Sequence, residues 1–254
     1  MSYIQLETGK DFLISRKPEY CFSDNFIFVS NNDHILVYNY SGKFIRQIGT
    51  PGRGPGEIDL ITFVSVLEEE KIIIVQTSWS RKLMFFSFDG TFIKSVSRPP
   101  EVFRIKVLNM NQYLLYYACQ IGNEDYLYIL SNQNWDTISV VNNHFKWENT
   151  SGITGMIGYD KFRPFYNYRN QTLFKSMYND TVYTVLQNKI EPVYFINLGI
   201  YRLPDELRPE PPQSVSRFRA ENDKYFFASV MEAGEMIFVA TENYKGKIDK
   251  NIVF

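Results

Sequence analysis

At 254 residues, with a hydrophobic share of 44% and a charged share of 22%, the chain has the material for a sizeable buried core and is not a disordered tail. A net charge of −1 and a pI near 6.2 exclude a global basic design for nucleic acid or anionic membrane. No run of 18 or more apolar residues is present, so no transmembrane helix is expected.

In chain order, Tyr3–Glu7 alternates apolar and polar residues and reads as a lone strand. Phe26–Val29 and His34–Asn39 read as strands joined by Ser30-Asn31-Asn32-Asp33, residue types that tolerate left-handed backbone in tight turns. Tyr40-Ser41-Gly42-Lys43 turns the chain into Phe44–Ile48. The loop GTPGRGPGE follows, whose glycines and prolines argue against continued strand or helix.

The grammar then repeats. Residues 38–45 (YNYSGKFI) align with residues 86–93 (FSFDGTFI) at an offset of 48, with aromatics, turn glycine and the Phe-Ile pair coinciding. A period of this length with about four strands per unit is the signature of propeller blades. Phe63–Leu67, before the Glu68-Glu69-Glu70 turn, supplies the additional strand of the second unit. A third unit comprises Phe103–Leu108, Gln112–Cys119, Tyr126–Leu130 and Thr137–Val141, with Asn132-Gln133-Asn134 at a turn that lacks glycine. Asn142–Asp160 reads as a loop insertion. A fourth unit takes in Arg163–Tyr168, Thr172–Tyr178, Thr181–Leu186 and Val193–Leu198. Leu203–Pro212 is a proline-punctuated connector, and a fifth unit runs through Ser216–Arg219, Tyr225–Met231 and Glu235–Thr241. The pattern predicts one all-β domain over residues 1–254. Its units fall at about 20–58, 59–99, 100–142, 160–203 and 213–254, with residues 1–8 as a ring-closing strand. A β-sandwich is the competing architecture; the 48-residue recurrence favours radial repetition.

Residues 3–8 (YIQLET), the GTPGRGPGE loop, the FDGTFI turn and the segment 192–199 (PVYFINLG) together resemble the bacterial six-bladed β-propeller family. That family is related to NHL-repeat propellers and is common among secreted lipoproteins of gut anaerobes. The resemblance spans most of the chain and implies a six-bladed propeller and an extracytoplasmic location, in the periplasm or at the outer-membrane surface. No lipoprotein or other signal peptide is visible at the N-terminus. About five blades are visible, so the expected ring is incomplete in this chain, with exposed strand edges.

Candidate chemistry is sparse. The glycine loop lacks the GxxxxGK[ST] pattern of a phosphate cradle. Its structural reading is an inter-blade connector with Glu57 hydrogen-bonded to backbone amides; its functional reading places Arg53 and Glu57 at a channel mouth. Three units open with an aromatic beside an arginine: Phe103-Arg104, Phe162-Arg163 and Arg217-Phe218-Arg219. On inner strands, Arg104, Arg163 and Arg217 could converge as a basic ring for carboxylate or phosphate. Alternatively, each pairs locally with a carboxylate or backbone carbonyl. Tyr166, Tyr168, Trp135 and Trp147 are candidates for sugar stacking or, alternatively, for packing between blades. His34 is expected at the surface, and neither histidine supports a triad or zinc site. Glu68-Glu69-Glu70 reads as a solvated turn. Cys21 and Cys119 allow one disulfide and read instead as buried thiols.

These features predict a non-enzymatic ligand-binding or protein-interaction propeller. Its partner would be a small anionic or carbohydrate ligand or a protein, with no nucleic acid, no metal and no cofactor. The alternative is a lyase or hydrolase acting on an anionic glycan or a lactone at the channel mouth.

Overall fold

In the computed structural model the described residues are 3–15, 18–117, 123–144, 146, 164–176, 179–202, 204, 225–243 and 248–253. They form short, mostly antiparallel strands, with no α-helix among them and one 3-10 turn at Gly199–Tyr201. The chain divides into two compact units, Met1–Met110 and Asn111–Phe254.

The first unit contains β1 (Glu19–Phe22), β2 (Phe26–Ser30), β3 (Ile35–Asn39) and β4 (Phe44–Ile48), hydrogen-bonded in that order. The pair β5 (Thr50–Pro51) and β6 (Glu57–Ile58) follows, and then β7 (Ile61–Leu67), β8 (Ile72–Thr77), β9 (Lys82–Ser87) and β10 (Phe92–Ser97), again in sequence order across one sheet. β11 (Arg104–Asn109) ends the unit. The second unit contains β12 (Gln112–Tyr116), β13 (Tyr126–Asn132) and β14 (Thr137–Asn142), then β15 (Phe165–Tyr168), β16 (Gln171–Phe174), β17 (Thr181–Leu186) and β18 (Lys189–Phe195). β19 (Phe226–Ala233), β20 (Met236–Asn243) and β21 (Ile248–Val253) close it.

The fold is all-β and propeller-like: the described residues form four small four-stranded antiparallel sheets and a three-stranded one, each meandering in chain order, besides the two-stranded pair β5–β6. The resemblance implies a six-bladed type with about five blades in this chain; the described residues form four four-stranded blades, and the fifth sheet has three strands.

Within the first unit, the two four-stranded sheets share one apolar core. Phe28, Ile35 and Val37 meet Val64, Ile73, Val75, Met84 and Phe86 there, and β8 is buried along its whole length. The opposite face of the first sheet (Ile27, Val29, Leu36, Tyr38) is covered by Leu6, Phe12 and Ile14, with Phe12 stacked on Phe44 at 4.1 Å between ring centroids. Residues 3–8 are therefore a cover and not the strand that their alternation predicts. Glu7 donates its amide to Gly42 O at 2.8 Å, and its carboxylate accepts from Phe44 N at 3.0 Å. In the second unit the core is aromatic: Tyr128 lies against Tyr116 at 5.0 Å and Phe174 at 4.7 Å.

The repeated turn has a physical basis that survives the loss of its glycine. In the first copy Asn39 Oδ1 accepts from Ser41 N and Lys43 N, and Gly42 sits at φ 81°. In the second, Ser87 and Asp89 accept from Thr91 N, with Gly90 at φ 98°. In the third, Asn132 Oδ1 accepts from Asn134 N and Asp136 N, and Trp135 takes the left-handed place at φ 69°. A side-chain oxygen at the first position closes the same hairpin turn each time. The third unit thus keeps the turn while its sequence loses the glycine, and Trp135 offsets the conformational cost by packing on Tyr113 at 5.1 Å.

Other differences from the sequence reading are local. β1 was not anticipated as a strand, because its residues show no clean alternation. The two-residue turn Gln187-Asn188, both at positive φ, starts β18 earlier than the apolar pattern suggests. The glycine loop carries one short parallel pairing, β5 with β6. Cys119, Trp147, Arg163, Arg217, the Leu203–Pro212 connector apart from Pro204, and nearly all of the Asn142–Asp160 insertion lie outside the described residues.

Candidate functional site

The glycine-rich loop after β4 meets the β8–β9 turn, Ser78-Trp79-Ser80-Arg81, through one carboxylate. Asp59 Oδ1 accepts from Leu60 N at 2.5 Å and its Oδ2 from Ser80 N at 2.7 Å. Burial pushes this carboxyl up, but the hydrogen bonds from Ser80 and the Leu60 and Trp79 amides outweigh it and hold the group below its ordinary 3.8. The sign of the pH effect follows: the clamp is fully present above about pH 3.8 and is lost as pH falls through the lower folded value. Hydrogen exchange at the Ser80 amide should therefore accelerate in acid below that window, and Asp59→Ala should make it fast at neutral pH.

The clamp presents an aromatic platform. Trp79 is 66% exposed, although a ring of its size is ordinarily packed away, and the exposed Arg53 holds its guanidinium 5.9 Å from the Trp79 ring centroid. Arg81, two residues on in the same turn, is exposed, and Arg98 donates to Thr77 O at 3.1 Å and Val102 O at 3.0 Å. Burial, with Arg81 nearby, lowers the Arg98 pKa, partly offset by Asp59. Glu57 does what its structural reading requires: its Oε2 accepts from Gly54 N at 2.8 Å. Three guanidinium groups thus accompany two carboxylates that are both already engaged with backbone amides. A flat aromatic face beside the exposed Arg53 guanidinium, which no carboxylate pairs with directly among the described residues, suits a ligand with a ring and a carboxylate.

Of the remaining predicted site residues, Arg104 lies on β11 and donates through Nη1 to Thr62 O of β7, with its guanidinium 4.9 Å from the Phe103 centroid and 5.2 Å from that of Phe63. This is the local carbonyl pairing that the sequence allowed as an alternative. His34 is half-buried instead of exposed: Nδ1 meets Asp33 Oδ1 at 2.6 Å and Nε2 meets Asn31 Nδ2 at 2.8 Å. Among the described residues no group of three or more His, Cys, Asp or Glu is placed to hold a metal.

A family model described as a domain of unknown function, DUF4934, matches residues 1–253. The chain belongs to the DUF4934 family. A solved structure from Bacteroides fragilis NCTC 9343, described as a "Putative exported protein", is similar to the DUF4934 chain over 100% of its length and 75% of that protein's, at 20% identity and a TM-score of 0.74. A DUF4221 family member from Bacteroides vulgatus is similar over 94% of this chain and 81% of that one, at 11% identity and a TM-score of 0.51. At such identities the likeness speaks for the fold alone. The comparison with curated proteins found no match.

The second unit of the DUF4934 chain holds another polar cluster. Tyr166 on β15 and Tyr194 on β18 meet at 2.7 Å between hydroxyls, and both reach Glu232 Oε1 on β19, at 2.9 and 2.7 Å. Tyr168 donates to Gly234 O at 2.5 Å, and Arg169 pairs with Glu235 at 2.5 Å. Tyr166 and Tyr168, candidates for sugar stacking from sequence, instead tie the fourth sheet to the β19–β20 hairpin. Burial, above all, pushes the Tyr166 hydroxyl far up, and burial with the Glu232 carboxylate does the same to Tyr194. Both are neutral donors at physiological pH and are unsuited to act as bases. Their raised values stabilise the fold fully below the ordinary tyrosine value of 10.0 and progressively less above it. Alkaline unfolding should set in above about pH 10, and Tyr166→Phe should flatten that limb of the stability profile.

The sequence reading missed Trp79 and Arg81. The available signal was a tryptophan in a serine-rich turn between two apolar strands, where no core position requires it.

Proposed function

We propose that the DUF4934 chain is a non-enzymatic binding module, working outside the cytoplasm, that recognises an acidic glycan at the Arg53–Trp79–Arg81 face. One observation carries this reading: the two-thirds-exposed Trp79 ring, with the Arg53 guanidinium 5.9 Å from its centroid. Stacking of a sugar on an indole, with a guanidinium placed for a uronate carboxylate, accounts for an arrangement that packing does not need. The likeness to a protein described as exported supports the extracytoplasmic part of the reading.

Calorimetric titration with oligogalacturonate and with a neutral malto-oligosaccharide tests the reading. The acidic oligomer should bind and the neutral one should not. Trp79→Ala should weaken binding at least tenfold, corresponding to about 1.4 kcal/mol, and Arg53→Ala should weaken it and reduce its salt dependence. Equal binding of both oligomers, an unchanged Trp79→Ala variant, or cleavage of the oligomer during the titration would each overturn it.

A further inference from the structure

A second site lies along the inner edge of the first unit, where β1 lies against β7 and β7 against β11. The faces can be assigned from contacts. Phe63 pairs with Gln76 and Ser65 with Ile74, so these four side chains share one face of the β7–β8 sheet. That face looks toward β11, because Gln76 Nε2 donates to Phe103 O at 2.7 Å and its Oε1 accepts from Ile105 N at 2.9 Å. On β11, Arg104 turns back toward this face, reaching Thr62 O and the Phe63 ring. Strand alternation places Lys106 on the Arg104 side, about 7 Å further along.

Ser65 and Lys106 therefore lie on the facing sides of β7 and β11. The Ser65 hydroxyl is buried, at 4% exposure for the residue, and has no hydrogen-bond partner. Lys106 is 8% exposed, yet its ammonium makes no hydrogen bond or ion pair with any described residue. The one titratable neighbour acting on it is the Cys21 thiol, which itself donates to Val64 O at 3.1 Å. Burial lowers the Lys106 pKa, as it does for any ammonium removed from water without a counter-charge. A mostly buried ammonium with no carboxylate paired to it, and a buried hydroxyl with no hydrogen-bond partner, are each arrangements that natural interiors avoid. A small anion would supply a counter-charge to the ammonium and an acceptor for the hydroxyl proton.

We infer that the crevice between β7 and β11 is a binding site for a small carboxylate-type anion, held by Lys106 Nζ and Ser65 Oγ, with the Arg104 guanidinium at its end. This is separate from the exposed Trp79 face and does not depend on the reading of that face. The ligand we infer is of the size of formate or acetate, either free or as the terminal carboxylate of a thin chain.

The test is thermal unfolding of the full chain in increasing formate, acetate and benzoate, at ionic strength held constant with a bulky sulfonate. Wild-type protein should be stabilised saturably by formate and acetate and not by benzoate. Lys106→Met should start at an equal or higher Tm, since an unpaired buried charge has been removed, and should show no response to formate. Ser65→Ala, a minimal change that keeps the fold, should retain the response with at least threefold weaker apparent affinity. An unresponsive wild type, or a Lys106→Met or Ser65→Ala variant responding as wild type does, would overturn the assignment. Stabilisation by propionate as well would show that the site takes the end of a chain; stabilisation by formate and acetate alone would show that it takes the free ion.

Discussion

Gly42→Val should destabilise the first unit by about 3 kcal/mol or more, lowering Tm by roughly 6 °C or more. Gly42 sits at φ 81°, and a Cβ built there would overlap the carbonyl oxygen of Gln5. The covering segment would have to retreat, which would break the Glu7 N to Gly42 O bond and loosen the contacts of Leu6 with the Tyr38 face. Gly234 provides the comparison. It has φ 61° and open space around its Cβ position, so Gly234→Ala should cost only the left-handed penalty of about 1 kcal/mol. Thermal or urea unfolding of the two variants separates the packing term from the conformational one. Equal losses would show that the covering segment does not press on the turn.

Gln76→Met should cost a comparable amount for a different reason. Gln76 is 1% exposed, and its amide satisfies both Ile105 N and Phe103 O, the backbone groups that open β11. Methionine fills nearly the same volume but leaves a buried donor and a buried acceptor orphaned, at about 1–3 kcal/mol each. The loss should be accompanied by fast hydrogen exchange at Ile105 while the centre of β8 stays protected, because β8 is paired on both sides by β7 and β9. If Ile105 exchange does not change, β11 is held by something other than this side chain.

The legible part of the molecule was its strand grammar. Period-2 apolar runs with polar turns located most of the strands, and the recurrence of Gly42 at Gly90 identified the repeating unit. The third unit shows why a turn can outlast its sequence signal. The side-chain acceptor passes from Asn39 to Ser87 to Asn132, and the left-handed position passes from glycine to Trp135. Only the hydrogen-bond pattern is constant. The lone Tyr3–Glu7 strand misled because alternation reports a half-buried extended segment, and a segment lying over a sheet face satisfies that as well as a ladder does.

The candidate sites were less legible. Arg53, Glu57 and Arg104 were singled out from residue type and position, but Glu57 is used on the Gly54 amide and Arg104 on a backbone carbonyl. What singles out the exposed platform is Trp79, and its significance lies in its exposure, which sequence does not display. Lys106 is the converse case. A lysine in a strand reads as a solvent-facing residue, and only the packing of β11 against β7 shows that its charge is enclosed. The basic ring proposed from Arg104, Arg163 and Arg217 keeps one described member, Arg104; the other two lie outside the described residues.

Tryptophan fluorescence tests the proposed function most directly. The chain has three tryptophans, so replacing Trp135 and Trp147 with phenylalanine leaves Trp79 as the sole reporter. Titration with oligogalacturonate should then give a saturable change in its emission that a neutral oligosaccharide of equal length does not produce and that added salt weakens. An emission that stays constant, or responds equally to both sugars, would contradict recognition of an acidic glycan at this face.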